Sequence, residues 1–285
     1  MKKLVLKKTL TIAGSDTSGG AGMQADLKTF QEHGTYGMVA LTVVVTMDPQ
    51  TWSHQVTPLP TALLQQQIDT ALSTGVDAIK TGMLSTQEII EIASQAIQAS
   101  NAKHVVIDPV MICKGDDEVL NPGNTIAMIE HLLPYATVVT PNLFEAGQLA
   151  SIPTPKTIEE MQVAAVKIHK LGAKNVVIKG GKALQHEKAI DLFYDGENFK
   201  LLATEKVPSQ YNHGAGCTFA ASVTANLANG MTVEEAVIEA KQFVSAAIAN
   251  GWALNQFVGP VMHGAKTRFG APEVELISLQ AASIV

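Results

Sequence analysis

Two thiols are the side chains in this sequence best suited to nucleophilic or proton-transfer chemistry, Cys113 and Cys217. Cys217 closes the segment His213-Gly214-Ala215-Gly216-Cys217-Thr218, just ahead of an alanine-rich helical stretch. Two glycines there free backbone N–H groups at a helix N-terminus, which makes an anion hole. A thiol at the positive end of a helix dipole is expected to have a lowered pKa. A structural glycine turn with a buried cysteine packed as a small apolar group accounts for the same residues. Cys113 lies in the segment from Asp108 to Leu120, behind an apolar run. A loop of that length suits a flap over a site, and Lys114 beside the thiol is expected to lower its pKa. The plainer reading is an exposed acidic loop with an incidental thiol.

Three further segments suit phosphate or metal chemistry. Residues 13–22, AGSDTSGGAG, carry four glycines between a strand-like run and a helical one. Such a loop lets backbone approach a ligand closely. It matches neither the P-loop nor a clean dinucleotide fingerprint. Asp16 stands where ligands sit at the carboxyl end of parallel strands, and a tight structural turn is the alternative. Asn142 and Glu145, three apart at a strand-to-helix junction, could hold a hydrated magnesium ion and a phosphate. They equally fit a capping box behind Pro141. Lys179-Gly180-Gly181-Lys182 ends another strand and suits polyphosphate, or simply a solvated turn. His33, His54, His104 and His131 lack ligand spacing, and no Cys/His set suits zinc.

Elements that could position these groups alternate along the chain. Residues 9–13, 37–45, 78–81, 104–107, 137–140 and 175–179 read as strands, several of them apolar at consecutive positions. That is the pattern of a parallel sheet covered on both faces. Residues 22–32, 61–73, 86–100, 124–133, 143–150 and 158–171 read as helices between them, which predicts βαβ units. Residues 188–195 and 198–204 predict a hairpin about Asp195-Gly196. Residues 216–228 and 232–250 read as helices, and no clear pattern continues past about residue 261.

Bulk properties narrow the function classes. The 285 residues are 46% hydrophobic and 16% charged, which suits one large α/β domain or two small ones, and the scarcity of linker-like segments favours one. A net charge of -6 argues against a nucleic-acid-binding surface. No run reaches the roughly 18 apolar residues of a membrane helix. The N-terminal apolar stretch is broken by Lys7 and Lys8, so it reads as a first strand and not as a targeting segment. Two cysteines without an export signal point to the cytoplasm.

Taken in order, AGSDTSGGAGMQADLKTF, KTGMLST, VIDPVM, TPNLFEA, VIKGGK and HGAGCTFAA resemble the ribokinase-like superfamily. More narrowly they resemble the branch holding hydroxymethylpyrimidine (phosphate) kinases and the two-cysteine bacterial pyridoxal kinases. The resemblance runs from about Leu10 to about Phe257 and implies one kinase domain, a three-layer α-β-α sandwich about a mostly parallel sheet. It implies ATP as co-substrate with Mg2+, and a homodimer. Asn142 is implied to contact ATP, and Glu145 to organise the magnesium. Lys179, Gly180, Gly181, Lys182 and Ala183 would lie along the nucleotide, with Asp191 and Lys241 as further contacts. Gly214, Gly216 and Cys217 would form the anion hole, Cys217 standing where many superfamily members have an aspartate base. Asp16, Gly22, Met47, Met83 and Cys113 fall to the substrate side.

Departures from the pyrimidine-kinase pattern bear on the substrate. That group typically shows T-A-Q-N after its second long strand, with the Gln bonding the pyrimidine, where this chain has Thr46-Met47-Asp48-Pro49. Met111-Ile112-Cys113-Lys114-Gly115 instead resembles the two-cysteine kinases, whose flap thiol adds reversibly to the pyridoxal aldehyde. The resemblance therefore implies phosphorylation of the hydroxymethyl group of pyridoxal or pyridoxine, with Cys217 as base. Alternatives are a hydroxymethylpyrimidine kinase, a non-catalytic B6-binding protein, and a thiol hydrolase using Cys217, which lacks a histidine recognisably placed as partner although His213 is close in sequence.

Overall fold

The computed structural model describes residues 5–111 and 122–280. Among the described residues ten strands form one sheet: β1 Lys8–Asp16, β2 Tyr36–Met47, β3 His54–Pro58, β4 Ala78–Thr81, β5 His104–Ile107, β6 Val138–Val139, β7 Val176–Lys179, β8 Lys188–Tyr194, β9 Phe199–Glu205 and β10 Glu275–Leu279. Their order is β10-β9-β8-β7-β6-β5-β4-β1-β2-β3. Strands β1, β2 and β4 to β7 run parallel, and β3 and β8 to β10 add antiparallel pairings toward the two edges. The hairpin predicted about Asp195-Gly196 forms between β8 and β9; Gly196 takes φ 100°, which glycine adopts without penalty.

Helices cover both faces. They are α1 Gly22–Glu32, α2 Thr61–Ser73, α3 Gln87–Ala99, α4 Pro122–His131, α5 Leu143–Ala150, α6 Ile158–Lys170, α7 Ala215–Ala228, α8 Val233–Ala249 and α9 Ala265–Phe269. Leu64 and Ile68 of α2, Ile89 and Ile90 of α3, and Met161 and Ile168 of α6 pack with Leu10, Ile12, Ile79 and Ile107 on one face. Phe219 and Val223 of α7 and Val237 of α8 pack with Val106, Val138 and Val177 on the other. Phe30 of α1 joins that side against Ala221 and Ala225. Each such buried aliphatic side chain contributes about 1.5–3 kcal/mol over its exposed state. Alanine-rich α7 is buried from Thr218 to Ala228, its small side chains letting it lie close to the sheet and to α1.

The expected three-layer sandwich is present, and α1, α2, α5, β4 and β5 fall on the expected residues. Three elements were not anticipated: β3, β10 and α9. Both strands lie at sheet edges and are largely exposed, so neither shows the continuous apolar run of a buried strand. The segment past residue 261 thus has structure that its pattern did not suggest. Among the described residues no helix is long and apolar enough to cross a membrane.

Candidate active site

Strand alternation decides which side chains reach the functional end of the sheet. Side chains of successive strand residues point to opposite faces. Leu10, Ile12, Ile79, Ile107, Val139 and Ile178 therefore enter the core beneath α2 to α6. The alternate positions send Thr11, Lys80, Asp108 and Lys179 toward the layer of α1, α7 and α8. There Thr11 meets Asp26 of α1, Lys80 meets the same carboxylate, and Asp108 meets Lys179. Asp191 of β8 reaches Lys241 of α8 in the same way.

A cavity of about 810 Å³ opens over these groups. It is lined by Asp16, Gly22, Met47 and Met83, by Asn142 and Glu145, by Lys179 to Ala183 without a gap, by Asp191 and Lys241, and by Gly214, Gly216 and Cys217. Every described residue assigned to the site from the sequence thus meets at one place. Cys113 lies outside the described residues. His54, read as ordinary, also lines the cavity.

The glycine-rich loop is fastened from within. Asp16 Oδ1 accepts from Ser18 N at 2.9 Å, and Oδ2 accepts from Ser18 Oγ at 2.9 Å and Ala21 N at 2.8 Å. His213 Nε2 lies 2.7 Å from the same Oδ2. Burial works against the charge, but His213, Ser18 and Ala21 outweigh it and bring the carboxyl down to about 2. Asp16, expected on the substrate side, borders the cavity with its acceptors committed to loop shape. His213 is held by this contact, so the structure gives no Cys217–His213 pair of the kind a thiol hydrolase needs.

Two glycines make the loops fit. Gly22 has φ 57° and Gly214 has φ 81°, both in the left-handed region that other residues enter at a cost of about 1–2 kcal/mol. A Cβ on Gly214 would also collide with the Gly20 carbonyl oxygen. Gly214→Ala is expected to separate the anion-hole loop from the glycine loop. Turnover should fall by about tenfold or more, with a lower melting temperature, because small displacements at a reacting centre cost that much. Parallel kinetics and thermal melts check this, and wild-type values for both would refute the fit.

Asn142 and Glu145 form the capping box weighed above. Asn142 Oδ1 accepts from Glu145 N at 2.9 Å, and Asn142 N donates to Glu145 Oε2 at 2.8 Å. The Met111 N–H also donates to Glu145. Burial pushes the Glu145 carboxyl up to about 7, with Asp108 adding to the effect and Lys179 opposing it. Lys179 Nζ lies 3.0 Å from Asp108 Oδ1, and burial is outweighed by Asp108 and Glu145 so that the lysine stays cationic. Lys241 Nζ lies 2.8 Å from Asp191 Oδ2, whose Oδ1 accepts from Gly180 N at 3.0 Å.

Cys217 corrects an expectation. Its thiol sits at the α7 N-terminus as foreseen, but burial pushes it up to about 12. Asp108 and Asp26 push the same way, while Lys80 and the Gly22 N–H pull down without prevailing. The sulfur is only partly shielded from the cavity's solvent, yet protein closes around it because α7 lies deep between sheet and α1. A helix dipole worth about 0.3–1 kcal/mol cannot offset that desolvation.

Reading the sequence also missed Lys80, Asp26 and the Asp108–Lys179 pair. The available signal was Lys80 itself, a charge inside the otherwise uncharged strand AIKT. A lysine is almost never fully buried unless paired.

No group of three or more His, Cys, Asp or Glu side chains among the described residues could hold a metal alone. Glu145 nonetheless suits Mg2+, which typically keeps several waters and takes one or two carboxylates plus substrate phosphates. A carboxyl whose proton is held only to about pH 7 is ready to exchange it for a cation.

Comparison with known proteins shows the family. Residues 16–262 match the family model described as phosphomethylpyrimidine kinase. Pyridoxine kinase of Bacillus subtilis is 56% identical over 262 residues, covering 91% of this chain and 97% of that protein. A hydroxymethylpyrimidine/phosphomethylpyrimidine kinase of the same organism is 39% identical over 262 residues, covering 92% and 96%. The structure of pyridoxal kinase from Staphylococcus aureus with ADP superposes with a TM-score of 0.94 at 62% identity, covering 97% of this chain and all of that one. The same enzyme with AMP-PCP and pyridoxal gives 0.93 at 60% identity with the same coverage.

Proposed function

The chain belongs to the phosphomethylpyrimidine kinase family, and within it we propose that the protein transfers the γ-phosphoryl group of ATP to the hydroxymethyl group of pyridoxal or pyridoxine. The observation that carries this is the convergence of the α7 N-terminus, the α5 capping box and the Lys179–Asp108 and Lys241–Asp191 pairs on one cavity. Pyridoxal kinases with bound nucleotide or pyridoxal stand at 55–63% identity, against 39–41% for the hydroxymethylpyrimidine/phosphomethylpyrimidine kinases. Met47 on the cavity wall lacks the amide that the pyrimidine pattern supplies.

The chemistry is mostly positioning and charge stabilisation. Lys179, Lys241 and the 180–183 backbone are assigned to the nucleotide, with Asn142 beside it. Glu145 would hold Mg2+, which supplies neutralisation of phosphate charge when bound. The N–H groups of 214–217 stabilise negative charge on the moving phosphoryl group. Cys217 receives the hydroxymethyl proton. Cys113 is assigned to the aldehyde of pyridoxal: its sulfur bonds the carbonyl carbon and its proton passes to the carbonyl oxygen. We assign the protein to the cytoplasm, acting as a single kinase domain in a homodimer.

The test is ATP consumption with pyridoxal, pyridoxine and hydroxymethylpyrimidine offered separately. Both vitamers should turn over, with kcat/KM for the pyrimidine lower by about tenfold or more, as a lost polar contact predicts. Turnover with the pyrimidine alone would sink the substrate assignment. Cys113→Ala should weaken the use of pyridoxal more than that of pyridoxine, which has no aldehyde. Equal losses would remove the covalent role.

A further inference from the structure

Beneath the anion hole lies an ion pair that the scheme above does not use. Lys80 rises from the middle of β4, and its Nζ lies 3.1 Å from Asp26 Oδ2 on α1. Both side chains are fully shielded from solvent. Thr11 Oγ1 donates to the same Oδ2 at 2.7 Å. Asp26 Oδ1 has no partner among the described residues. A buried ion pair is often no more stabilising than apolar residues of the same volume; burial pushes the Asp26 carboxyl up against the pull of Lys80 and Thr11, and with one oxygen unpartnered the pair is a poor choice for stability alone.

The elements that carry this pair also meet at Cys217. The Gly22 N–H donates to the Cys217 sulfur, so the thiol stands at the N-terminus of α1 as well as of its own helix. Asp26 lies one helical turn beyond Gly22 on α1, and Lys80 lines the same cavity as Cys217. The charged groups that face the sulfur are Lys80 from β4, Asp26 from α1, Asp108 beyond β5 and Lys179 at the end of β7. Burial opposes a charge on Lys80, yet Asp26, Cys217 and Asp108 keep it cationic. Of the facing groups Lys80 does most to favour a thiolate, and both carboxylates oppose one.

We propose that Lys80 is a positioning residue for phosphoryl transfer: its ammonium, fixed by Asp26, balances the negative charge that the Cys217 sulfur must carry to accept the hydroxymethyl proton. This rests on Cys217 being the proton acceptor. In the step the proton moves from the hydroxymethyl oxygen to sulfur and the new O–P bond forms. The bond from the γ-phosphorus to the bridging oxygen breaks, its electron pair leaving with ADP. The thiol proton returns to water after product leaves, and Lys80 keeps its protons throughout.

The experiment reads the sulfur directly. In a Cys113→Ser background Cys217 is the only thiol, and its rate of alkylation by iodoacetamide follows the thiolate fraction. Asp26→Asn removes an opposing anion and should raise that rate at fixed pH by about tenfold, one pKa unit. Adding Lys80→Met to Asp26→Asn should lower it by about tenfold or more from the single variant, the same unit reversed. The double variant leaves no unpaired buried charge, so it avoids the folding defect expected of Lys80→Met alone. The acid limb of kcat/KM with pyridoxine should move the same way in each variant. A merely structural pair would lower activity in both without opposite shifts. Superimposed alkylation curves for the single and double variants, beside an inactive Cys217→Ala enzyme, would remove Lys80 from the mechanism. Retained turnover in Cys217→Ala would remove the acceptor, and the proposal with it.

Discussion

Cys217→Ala is expected to lower kcat by about 10²–10⁴-fold, the range for loss of a positioned proton acceptor, while ATP affinity stays nearly unchanged. The side chain lies at the N-terminal end of α7, whereas Lys179, Asp191 and Lys241, which we assign to the nucleotide, stand on β7, β8 and α8, and Asn142 caps α5. Alanine keeps the helix start and the Gly214 and Gly216 N–H groups, so the anion hole survives. The pH dependence makes the prediction specific. Burial holds the thiol up to about 12, so at neutral pH the empty enzyme carries it protonated. Below that value the thiolate fraction rises about tenfold per pH unit, which follows from the titration curve of a single acid. In the wild type, kcat/KM should therefore climb with pH across the neutral range, and in Cys217→Ala that climb should disappear. Stopped-time assays over a pH series, with ATP binding by calorimetry, measure both. Near wild-type turnover in the variant would refute the role.

The reversal of the Cys217 expectation shows what a sequence does and does not carry. Short runs of consecutive apolar residues, alternating with helical patterns, located most of the sheet and helices, because strands covered on both faces bury successive side chains. Gly22 and Gly214 were visible as glycines in loops, but their requirement comes from backbone meeting backbone: Gly22 against Gly14 within its own loop, and Gly214 against Gly20, 194 positions away. The helix dipole at Cys217 is set by its neighbours in sequence. Its pKa is governed by desolvation between α7, α1 and the sheet, a tertiary property. The same holds for Lys80 and Asp26, 54 positions apart, and for Asp108 and Lys179, 71 apart. At the edges the failure is of another kind. β3 and β10 bury little, so no continuous apolar run marks them; backbone pairing holds both in the sheet, and β10 adds the Lys188–Glu275 ion pair and the packing of Leu279.

Glu145→Gln separates two roles that the sequence left tied together. Glutamine at this position still fits a capping box, so its amide oxygen can accept from Asn142 N as Glu145 Oε2 does now. Stability should not fall. Glu145→Ala should lose the cap, at about 0.5–2 kcal/mol for a capping interaction. Both variants should lose turnover by about 10²-fold or more, since each removes the charge that would organise the phosphate cation. A Glu145→Gln enzyme that is both stable and fully active would leave Glu145 as a cap only. The pH dependence of stability gives a second reading in the metal-free protein. Burial raises the folded carboxyl from 4.5 to about 7, so between those values the folded state binds more protons than the unfolded state. Wild-type stability must then decrease as pH rises through that window. The amide in the variant has no proton to lose, so thermal melts should show Glu145→Gln gaining on the wild type by roughly 1–3 kcal/mol from acid to neutral pH. A constant difference would mean that the carboxyl pays no burial penalty, and that Asn142, Met111 and Lys179 already satisfy its charge without a metal ion.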